Sequence, residues 1–228
     1  MTARDPLVGW RVPDAEVPDW LEPLADRVVG LRGEELTKFH PPPPDGRASA
    51  VLILLGEGDD GPDVLVIERA HDMRAHAGQP AFPGGAQDPD DADAIAAALR
   101  EAVEETGLDP EGVEVFALLP DLWVPVSNFV VTPVLAWWRS PSEVRAVDRA
   151  EVASVHRVPI AELSDPVHRT RVRHPSGYVG YGFAVRDLLI WGFTAGLLNG
   201  LLDLAGWARP WDESKLVDLQ PDAREEPV

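Results

Sequence analysis

A cluster of three acidic residues is the part of this sequence best suited to chemistry. Glu101, Glu104 and Glu105 occur in the segment Arg-Glu-Ala-Val-Glu-Glu-Thr-Gly-Leu at residues 100–108. In a helix of about 3.6 residues per turn, their carboxylates fall within roughly 100° of arc. Like charges at this spacing oppose each other by roughly 0.2–0.5 kcal/mol per pair. A hard divalent cation would offset that repulsion, so the segment predicts a Mg²⁺ or Mn²⁺ site; a solvated acidic face is the alternative.

The flanking residues predict how this helix begins, ends and packs. Asp88, Asp90 and Asp91 are candidate N-terminal caps, and Gly107 stands where a left-handed C-terminal cap belongs. The helix is therefore expected at residues 91–106, with its acids facing outward. The stripe opposite the acids is apolar enough to pack on a core, and consists of Ile95, Leu99, Ala102, Val103 and Thr106.

The helix and the glycine pair before it resemble the Nudix box. That pattern reads Gly, five residues, Glu, seven residues, Arg-Glu, an apolar residue, any residue, Glu-Glu, any residue, Gly and an apolar residue. The residues that match it are Gly85, Arg100, Glu101, Glu104, Glu105, Gly107 and Leu108. The gap from Gly85 to Arg100 is one residue longer than the general pattern. The early Glu is missing, with only Asp90, Asp91 and Asp93 nearby.

The segment before the glycine pair is similar to the signature of the coenzyme A pyrophosphatase branch of Nudix hydrolases. That signature has an Arg, four residues, a second Arg, a Gly four positions later, and then Phe-Pro-Gly-Gly. The matching residues are Arg69, Arg74, Gly78, Phe82, Pro83, Gly84 and Gly85. The lengthened box is usual in that branch, whereas Ile67 stands where a Thr is common. Weaker similarity continues through residues 125–129, 151–152 and 190–192.

The resemblance implies roles for the acidic residues and for the arginine beside them. Glu101 and Glu105 are the expected main metal ligands. Glu104 completes the metal site or takes the proton from the attacking water, and Glu151 is a second candidate for that base; both assignments stay open. Arg100 is a candidate catalytic residue through a charge-assisted bond to a ligand carboxylate, and a structural ion pair is favoured over substrate contact.

The substrate-binding residues implied by the same resemblance precede the helix. The planar fork of a guanidinium suits phosphate recognition, and glycines allow close approach of the backbone to a ligand. The residues in this set are Arg69, Arg74, Gly78, Phe82, Gly84 and Gly85.

The expected activity is metal-dependent cleavage of the diphosphate of coenzyme A or acyl-coenzyme A, giving 3′,5′-ADP and 4′-phosphopantetheine or its acylated form. One alternative is a Nudix hydrolase of ADP-ribose, NADH or nucleoside triphosphates. The other is a non-catalytic nucleotide-sensing Nudix module, which the presence of all three glutamates disfavours. The choice of free or acylated coenzyme A and the number and identity of the metal ions stay open.

The composition of the chain limits the classes of molecule that it is expected to bind. The 228 residues include 39 acidic and 20 basic ones, a formal net charge of −19, which opposes binding to nucleic acid or to an anionic membrane. The partner is expected to be a small diphosphate. The absence of cysteine excludes a thiol nucleophile and disfavours an isopentenyl diphosphate isomerase, which resembles this box but uses a cysteine. The start lacks a signal-peptide pattern, so a cytoplasmic location is expected.

The apolar segment at residues 188–207 is long enough to cross a bilayer, but Asn199, Asp203 and four glycines interrupt it. It is therefore expected to be a packed C-terminal helix, or one that faces a second copy in a homodimer.

Three parts are expected along the chain. Residues 1–47 form an N-terminal extension with a short helix near residues 20–29 and a proline-rich spacer. Residues 48–210 form a Nudix hydrolase domain, and residues 211–228 a mobile polar tail. The predicted fold is an α/β/α sandwich of the Nudix type with a mixed sheet. Its expected strands lie at residues 50–55, 64–68, 113–119, 129–138, 152–158 and 178–185, with a short helix at 159–163.

Overall fold

A computed structural model of the chain describes residues 4–70 and 78–219. Its strands are β1 (Trp10–Arg11), β2 (Arg47–Gly58), β3 (Gly61–Arg69), β4 (Pro80–Ala81), β5 (Gly84–Ala86), β6 (Val113–Leu118), β7 (Leu122–Val124), β8 (Phe129–Trp138), β9 (Val152–Pro159), β10 (Arg169–Arg173), β11 (Val179–Val185), β12 (Leu188–Trp191) and β13 (Leu216–Asp218). Its α-helices are α1 (Glu22–Val28), α2 (Ala94–Thr106), α3 (Ile160–Ser164) and α4 (Gly192–Leu204).

The larger sheet is mixed. Within the described residues its strand order is β1-β6-β8-β2-β3-β4, while β5 pairs with β2, β7 with β8 and β9 with β3. The central pair β2 and β8 is parallel, with Arg47 opposite Phe129 and Leu55 opposite Trp137. Strand β3 pairs antiparallel with both β2 and β9. A smaller sheet has the order β12-β11-β10-β13.

Helices cover both faces of the larger sheet. Successive residues of a strand point to opposite faces, and the central strands are apolar at both sets of positions, so both faces must be buried. One face packs against α2 through a cluster that includes Leu52, Val134 and Ala102. The other face packs in a second cluster, which includes residues of α1 and α4. The predicted α/β/α sandwich with a mixed sheet is therefore confirmed.

The N-terminal segment is packed against this sandwich. Trp10 pairs with Leu118 at the edge of the larger sheet, and the backbone N–H of Val12 donates to the carbonyl of Phe116 at 2.8 Å. Leu24 and Val28 of α1 are fully buried in the same cluster as α4. The boundary at residue 47 stays a prediction, but the segment before it supplies both an edge strand and a covering helix.

The apolar segment at residues 188–207 begins differently from the prediction. Residues 188–191 form β12, which pairs with β11, and the helix starts only at Gly192. A short apolar run has no periodicity that separates strand from helix, so the sequence pattern merged the two. The buried residues of α4 include Leu198 and Leu202, which lie in the core. No helix in the described ranges is long and apolar enough to cross a membrane.

Two regions expected to be irregular contain strands. Residues 120–128, predicted as a loop, include β7, which pairs with β8. The polar tail was expected to be mobile from about residue 212, yet residues 216–218 form β13 in parallel with β10. Arginines alternate along β10, and β13 is only three residues long. Neither strand therefore shows the long apolar alternation by which a sequence predicts a β-strand.

Candidate active site

The helix that carries the three acids begins later than predicted. Asp93 is its N-cap: its side chain accepts a hydrogen bond of 2.9 Å from the backbone N–H of Ala96. The predicted caps Asp88, Asp90 and Asp91 are therefore wrong. The predicted C-terminal cap is confirmed, since Gly107 has φ 69° and lies in the left-handed region.

The acids of α2 do not all face solvent, which corrects the expected orientation of the helix. Glu105 is buried, with 2% of its surface exposed, and Glu101 is partly buried. Glu104 is exposed, and Val103, expected on the buried stripe, is 36% exposed. The helix is rotated so that part of its acidic stripe faces β5.

The glycine pair allows this close contact between helix and strand. The backbone N–H of Gly84 donates a 3.0 Å hydrogen bond to Oε2 of Glu105. A Cβ at Gly85 would lie 2.5 Å from Oε1 of Glu101, so no other side chain fits there without displacing that carboxylate. Gly84 has φ 153°, and a Cβ on it would lie 2.3 Å from the carbonyl oxygen of Ala50. Both glycines thus place strand backbone directly against the acids of α2.

Burial and mutual repulsion destabilise the ionised acids. Burial raises the pKa of Glu105 to about 8; the Gly84 N–H and the charge of Arg69 oppose this rise, and the charges of Glu101 and Glu151 add to it. Burial also raises the pKa of Glu101, against the lowering effect of Arg100. Because Glu151 raises the pKa of both Glu101 and Glu105, it lies within electrostatic range of both carboxylates.

This donor set has the chemistry of a site for a hard cation. Carboxylate oxygens are the ligands that Mg²⁺ prefers, and the missing side chain at Gly85 leaves room for the Glu101 carboxylate against the strand. A bound cation would remove the repulsion among acids that burial has brought together. In the described parts of the chain, no three His, Asp or Glu side chains converge as a ready-made metal cluster. The residues fit a divalent ion in type, with Glu101 and Glu105 as its candidate ligands.

Arg100 is held in an ion-pair network. Its Nε and Nη2 donate to the two carboxylate oxygens of Asp91 at 3.1 and 3.0 Å. Its Nη1 donates to Glu101 at 3.0 Å and to Glu104 at 3.1 Å. The favoured prediction of a structural ion pair is confirmed; a catalytic role stays a prediction. The sequence pattern missed Asp91 in this role and placed it at the helix terminus instead. Arg100 holds the pKa of Asp91 below its usual value through these hydrogen bonds.

The structure describes five of the six predicted substrate residues. Arg69 ends β3, where its backbone carbonyl accepts a hydrogen bond of 3.0 Å from the N–H of Gly78. Arg74 lies outside the described residues. Phe82 is only 2% exposed and belongs to the hydrophobic core, and its contact with a substrate stays a prediction. A phenylalanine at this position can pack in the core or contact a ligand, and the sequence motif alone does not distinguish these two roles.

The two candidate bases differ in their surroundings. Glu151 directly precedes β9, and its carbonyl accepts a 2.8 Å hydrogen bond from the N–H of Ala70. Its side chain acts electrostatically on both Glu101 and Glu105. The Glu104 side chain is 59% exposed and pairs with Arg100. The charge of Glu151 thus acts on the acids of α2 from outside the helix, while the Glu104 side chain lies in solvent beside Arg100.

Comparisons with known proteins identify a family and several relatives. The NUDIX domain family matches residues 46–177. The uncharacterized Nudix hydrolase NudL of Klebsiella pneumoniae is 36% identical over 201 residues, which cover 82% of this chain and 100% of that protein. The protein of the same name from Escherichia coli K12 is 40% identical over 162 residues, or 68% and 81% of the two chains. The crystal structure of the Nudix hydrolase RenU from M. smegmatis aligns with a TM-score of 0.49 and 18% identity, covering 73% of this chain and 90% of RenU.

The family match spans more than half of the chain, and it contains α2, the glycine pair and Glu151. Members of this family generally use divalent metal cations such as Mg²⁺. The chain belongs to the Nudix hydrolase family and is a hydrolase that acts on pyrophosphate bonds.

Proposed function

We propose that this Nudix hydrolase cleaves the diphosphate bridge of coenzyme A or acyl-coenzyme A, giving 3′,5′-ADP and 4′-phosphopantetheine or its acylated form. The observation that carries the substrate assignment is the segment at residues 69–85, which matches the coenzyme A signature before an intact acidic helix. The contacts of its described ends support the assignment. Gly84 donates to Glu105, and the charge of Arg69 acts on the same carboxylate.

Glu101 and Glu105 are the proposed ligands of Mg²⁺ or Mn²⁺. They lie one turn apart on α2, and Gly84 fixes the orientation of the Glu105 carboxylate through its N–H. When bound, the cation supplies charge neutralisation at the phosphate oxygens and lowers the pKa of the attacking water. Arg100 donates a hydrogen bond to the Glu101 carboxylate, so its proposed contribution is to position a ligand.

Glu151 is the proposed proton acceptor. Hydrolysis requires that a water attack phosphorus, that its proton be taken up, and that the bridging P–O bond break. The charge of Glu151 acts on both proposed ligands, and this supports its assignment as the group that accepts the proton. The Glu104 carboxylate forms an ion pair with Arg100 on the surface of α2, and the proposed role of this pair is to hold Arg100 in place.

Arg69 and Arg74 are the proposed contacts of the substrate phosphates. A guanidinium beside the acidic face reverses the local field that would otherwise repel an anionic substrate. Arg69 already acts in this sense, because its charge opposes the rise in the pKa of Glu105. The main chain of Arg69 is fixed by Gly78, which donates to its carbonyl.

The test is a product assay with a substrate panel. Purified protein is incubated with Mg²⁺ and coenzyme A, acetyl-coenzyme A, ADP-ribose, NADH or a nucleoside triphosphate, and the products are separated by chromatography. We expect 3′,5′-ADP from the two coenzyme A substrates at a kcat/KM above that for the other compounds. Efficient turnover of ADP-ribose, NADH or a triphosphate, with coenzyme A left intact, would remove the substrate assignment and leave the family assignment in place.

A further inference from the structure

Arg169 is a buried cation that lies outside the acidic site. It starts β10 in the smaller sheet, and only 2% of its surface is exposed. Its Nη2 donates a 2.5 Å hydrogen bond to Oδ1 of Asn199 on α4. Its Nε and Nη1 are buried and have no hydrogen-bond acceptor among the residues that the structure describes. A guanidinium with such donors unpaired is rare in a folded protein and calls for a partner.

The surroundings of Arg169 compensate its charge only in part, through the more distant carboxylates of Asp203 and Glu213. Burial lowers the pKa of its guanidinium, which reflects the loss of water. The rings of Phe183 and Trp211 lie 4.8 and 5.0 Å from its Cζ, measured to the ring centroids. Cation–π attraction offsets part of the desolvation cost, but it does not supply the oxygen acceptors that a guanidinium prefers.

The carboxylates of Asp203 and Glu213, which act electrostatically on Arg169, interact with other residues. Oδ2 of Asp203 accepts a 3.0 Å hydrogen bond from Nδ2 of Asn199, and Glu213 forms an ion pair with Arg171. Over the described part of the chain, Arg169 takes part in no ion pair with either acid. A buried charge without a counterion is destabilising, so an anion from solution would be favoured at this position.

A cavity lies next to this guanidinium. It measures about 280 Å³, and its wall includes Arg169, Tyr181, Asn199, Asp203, Arg209 and Trp211. At about 30 Å³ per water molecule it has room for roughly nine waters, which is ample for one phosphate or carboxylate group. Arg209 is exposed and adds a second positive charge to the wall.

We propose that this cavity binds a small oxyanion, a carboxylate or a phosphate group, with Arg169 as its buried cationic partner. The planar guanidinium matches the geometry of both groups. Asp203 and Glu213 also line the cavity, and their negative charges favour a ligand of low charge. The site belongs to the smaller sheet, which carries none of the acids of α2, so the proposal does not depend on the proposed function.

The test measures thermal unfolding in EDTA, with sodium phosphate or sodium acetate titrated against sodium chloride at constant ionic strength. We expect a saturable rise in Tm of about 2–4 °C for at least one of the two anions. A response to phosphate alone identifies a phosphate site, and a response to acetate alone identifies a carboxylate site. No saturable rise beyond that in chloride would overturn the proposal, because the rings would then suffice for Arg169.

Two variants locate the response. The double variant N199D/D203N exchanges an amide and a carboxylate without changing net charge, and it places the carboxylate next to Nη2 of Arg169. We expect its Tm to exceed that of the wild type without added anion and its anion response to fall at least tenfold. Arg173→Met is the matched control, because Arg173 lies on the same strand with its side chain half exposed. An unchanged response in the double variant, or a lost response in the control, would contradict the assignment to Arg169.

Discussion

Glu105 combines burial, a backbone hydrogen bond and proximity to other acids. Its carboxylate is fixed by Gly84, and its pKa is raised to about 8 by burial. Such a group stabilises the folded chain only when a cation or a proton compensates its charge. As a proposed metal ligand, Glu105 would therefore link metal binding to the stability of the whole protein.

The stability of the metal-free protein is predicted to depend on the protonation of Glu105. Its pKa lies near 4.5 when unperturbed and near 8 in the folded chain, so the folded state binds the proton more tightly. The free energy of unfolding therefore falls as pH rises from about 4.5 to 8. We predict that Glu105→Gln increases it by about 1–3 kcal/mol at pH 8 in EDTA, and by much less at pH 5.

Urea unfolding at the two pH values measures this difference. Glu104→Gln is the matched control, because its exposed side chain should leave the free energy of unfolding unchanged within about 0.5 kcal/mol. Equal stability of wild type and Glu105→Gln at pH 8 would show that burial of the ionised Glu105 carboxylate does not destabilise the folded protein.

The two candidate bases are predicted to differ in their effect on turnover. Glu151→Gln should lower kcat for coenzyme A by about 10²–10⁴-fold, since a general base contributes that much to the rate. Glu104→Gln should lower it less, by about tenfold, because Glu104 pairs with Arg100 at the rim. Steady-state kinetics with saturating Mg²⁺ makes the comparison. The reverse order of effects would transfer the base assignment to Glu104.

At the scale of the elements, the contact between β5 and α2 depends on the glycine pair. A Cβ at Gly84 would lie 2.3 Å from the carbonyl oxygen of Ala50, and φ is 153°. We predict that Gly84→Ala lowers the free energy of unfolding by about 2–4 kcal/mol and disturbs the orientation of Glu105. Gly177→Ala is the control, because Gly177 has φ 85° but no atom within 4 Å of an added Cβ.

Chemical denaturation of both glycine variants separates backbone strain from steric overlap. The control should lose about 1 kcal/mol, the cost of a left-handed conformation alone. If the two variants lose the same amount, the close approach of β5 to its neighbours is not what selects glycine at position 84.

The sequence pattern predicted the elements whose signals are local. The left-handed cap at Gly107 and the acidic spacing on α2 depend on neighbouring residues, and both are present. The rotation of α2 was missed, because only the contact with β5 shows that Glu105 is buried. Strand β10 was missed for a similar reason: its register with β11 and β13 is set by distant residues, while its own sequence is rich in arginine.

For the candidate site, the sequence predicted the residue types but not their pairing or burial. The residue types of the acidic helix indicated a cation, and the structure places Glu101 beside Gly85 and Glu105 beside Gly84. The role of Asp91 as the partner of Arg100 could not be read from spacing, since nine residues separate them across the helix start. The burial of Phe82 likewise depends on the packing of the whole core.

At the scale of the whole molecule, the N-terminal segment and the sandwich share one core. Leu24 is fully buried in the cluster that also contains residues of α4. We predict that Leu24→Ala lowers the free energy of unfolding by about 2–5 kcal/mol and keeps a single unfolding transition. Val29→Ala is the control, because Val29 is 61% exposed.

Denaturation followed by both fluorescence and circular dichroism tests this cooperativity. Two separate transitions, or a loss no larger than in the Val29 variant, would show that the first 47 residues unfold independently of the rest. In that case the segment would be an appendage, as the division of the sequence into three parts implies.

Binding of Mn²⁺, followed by electron paramagnetic resonance, tests most directly whether the acids of α2 hold the catalytic cation. We predict saturable binding to the wild type and to the control Glu111→Gln, because Glu111 is exposed and lies in the turn after α2 rather than on that helix. Binding should weaken at least tenfold in Glu101→Gln and in Glu105→Gln. Equal Mn²⁺ affinity in all four proteins would contradict the assignment of Glu101 and Glu105 as metal ligands and the mechanism that depends on it.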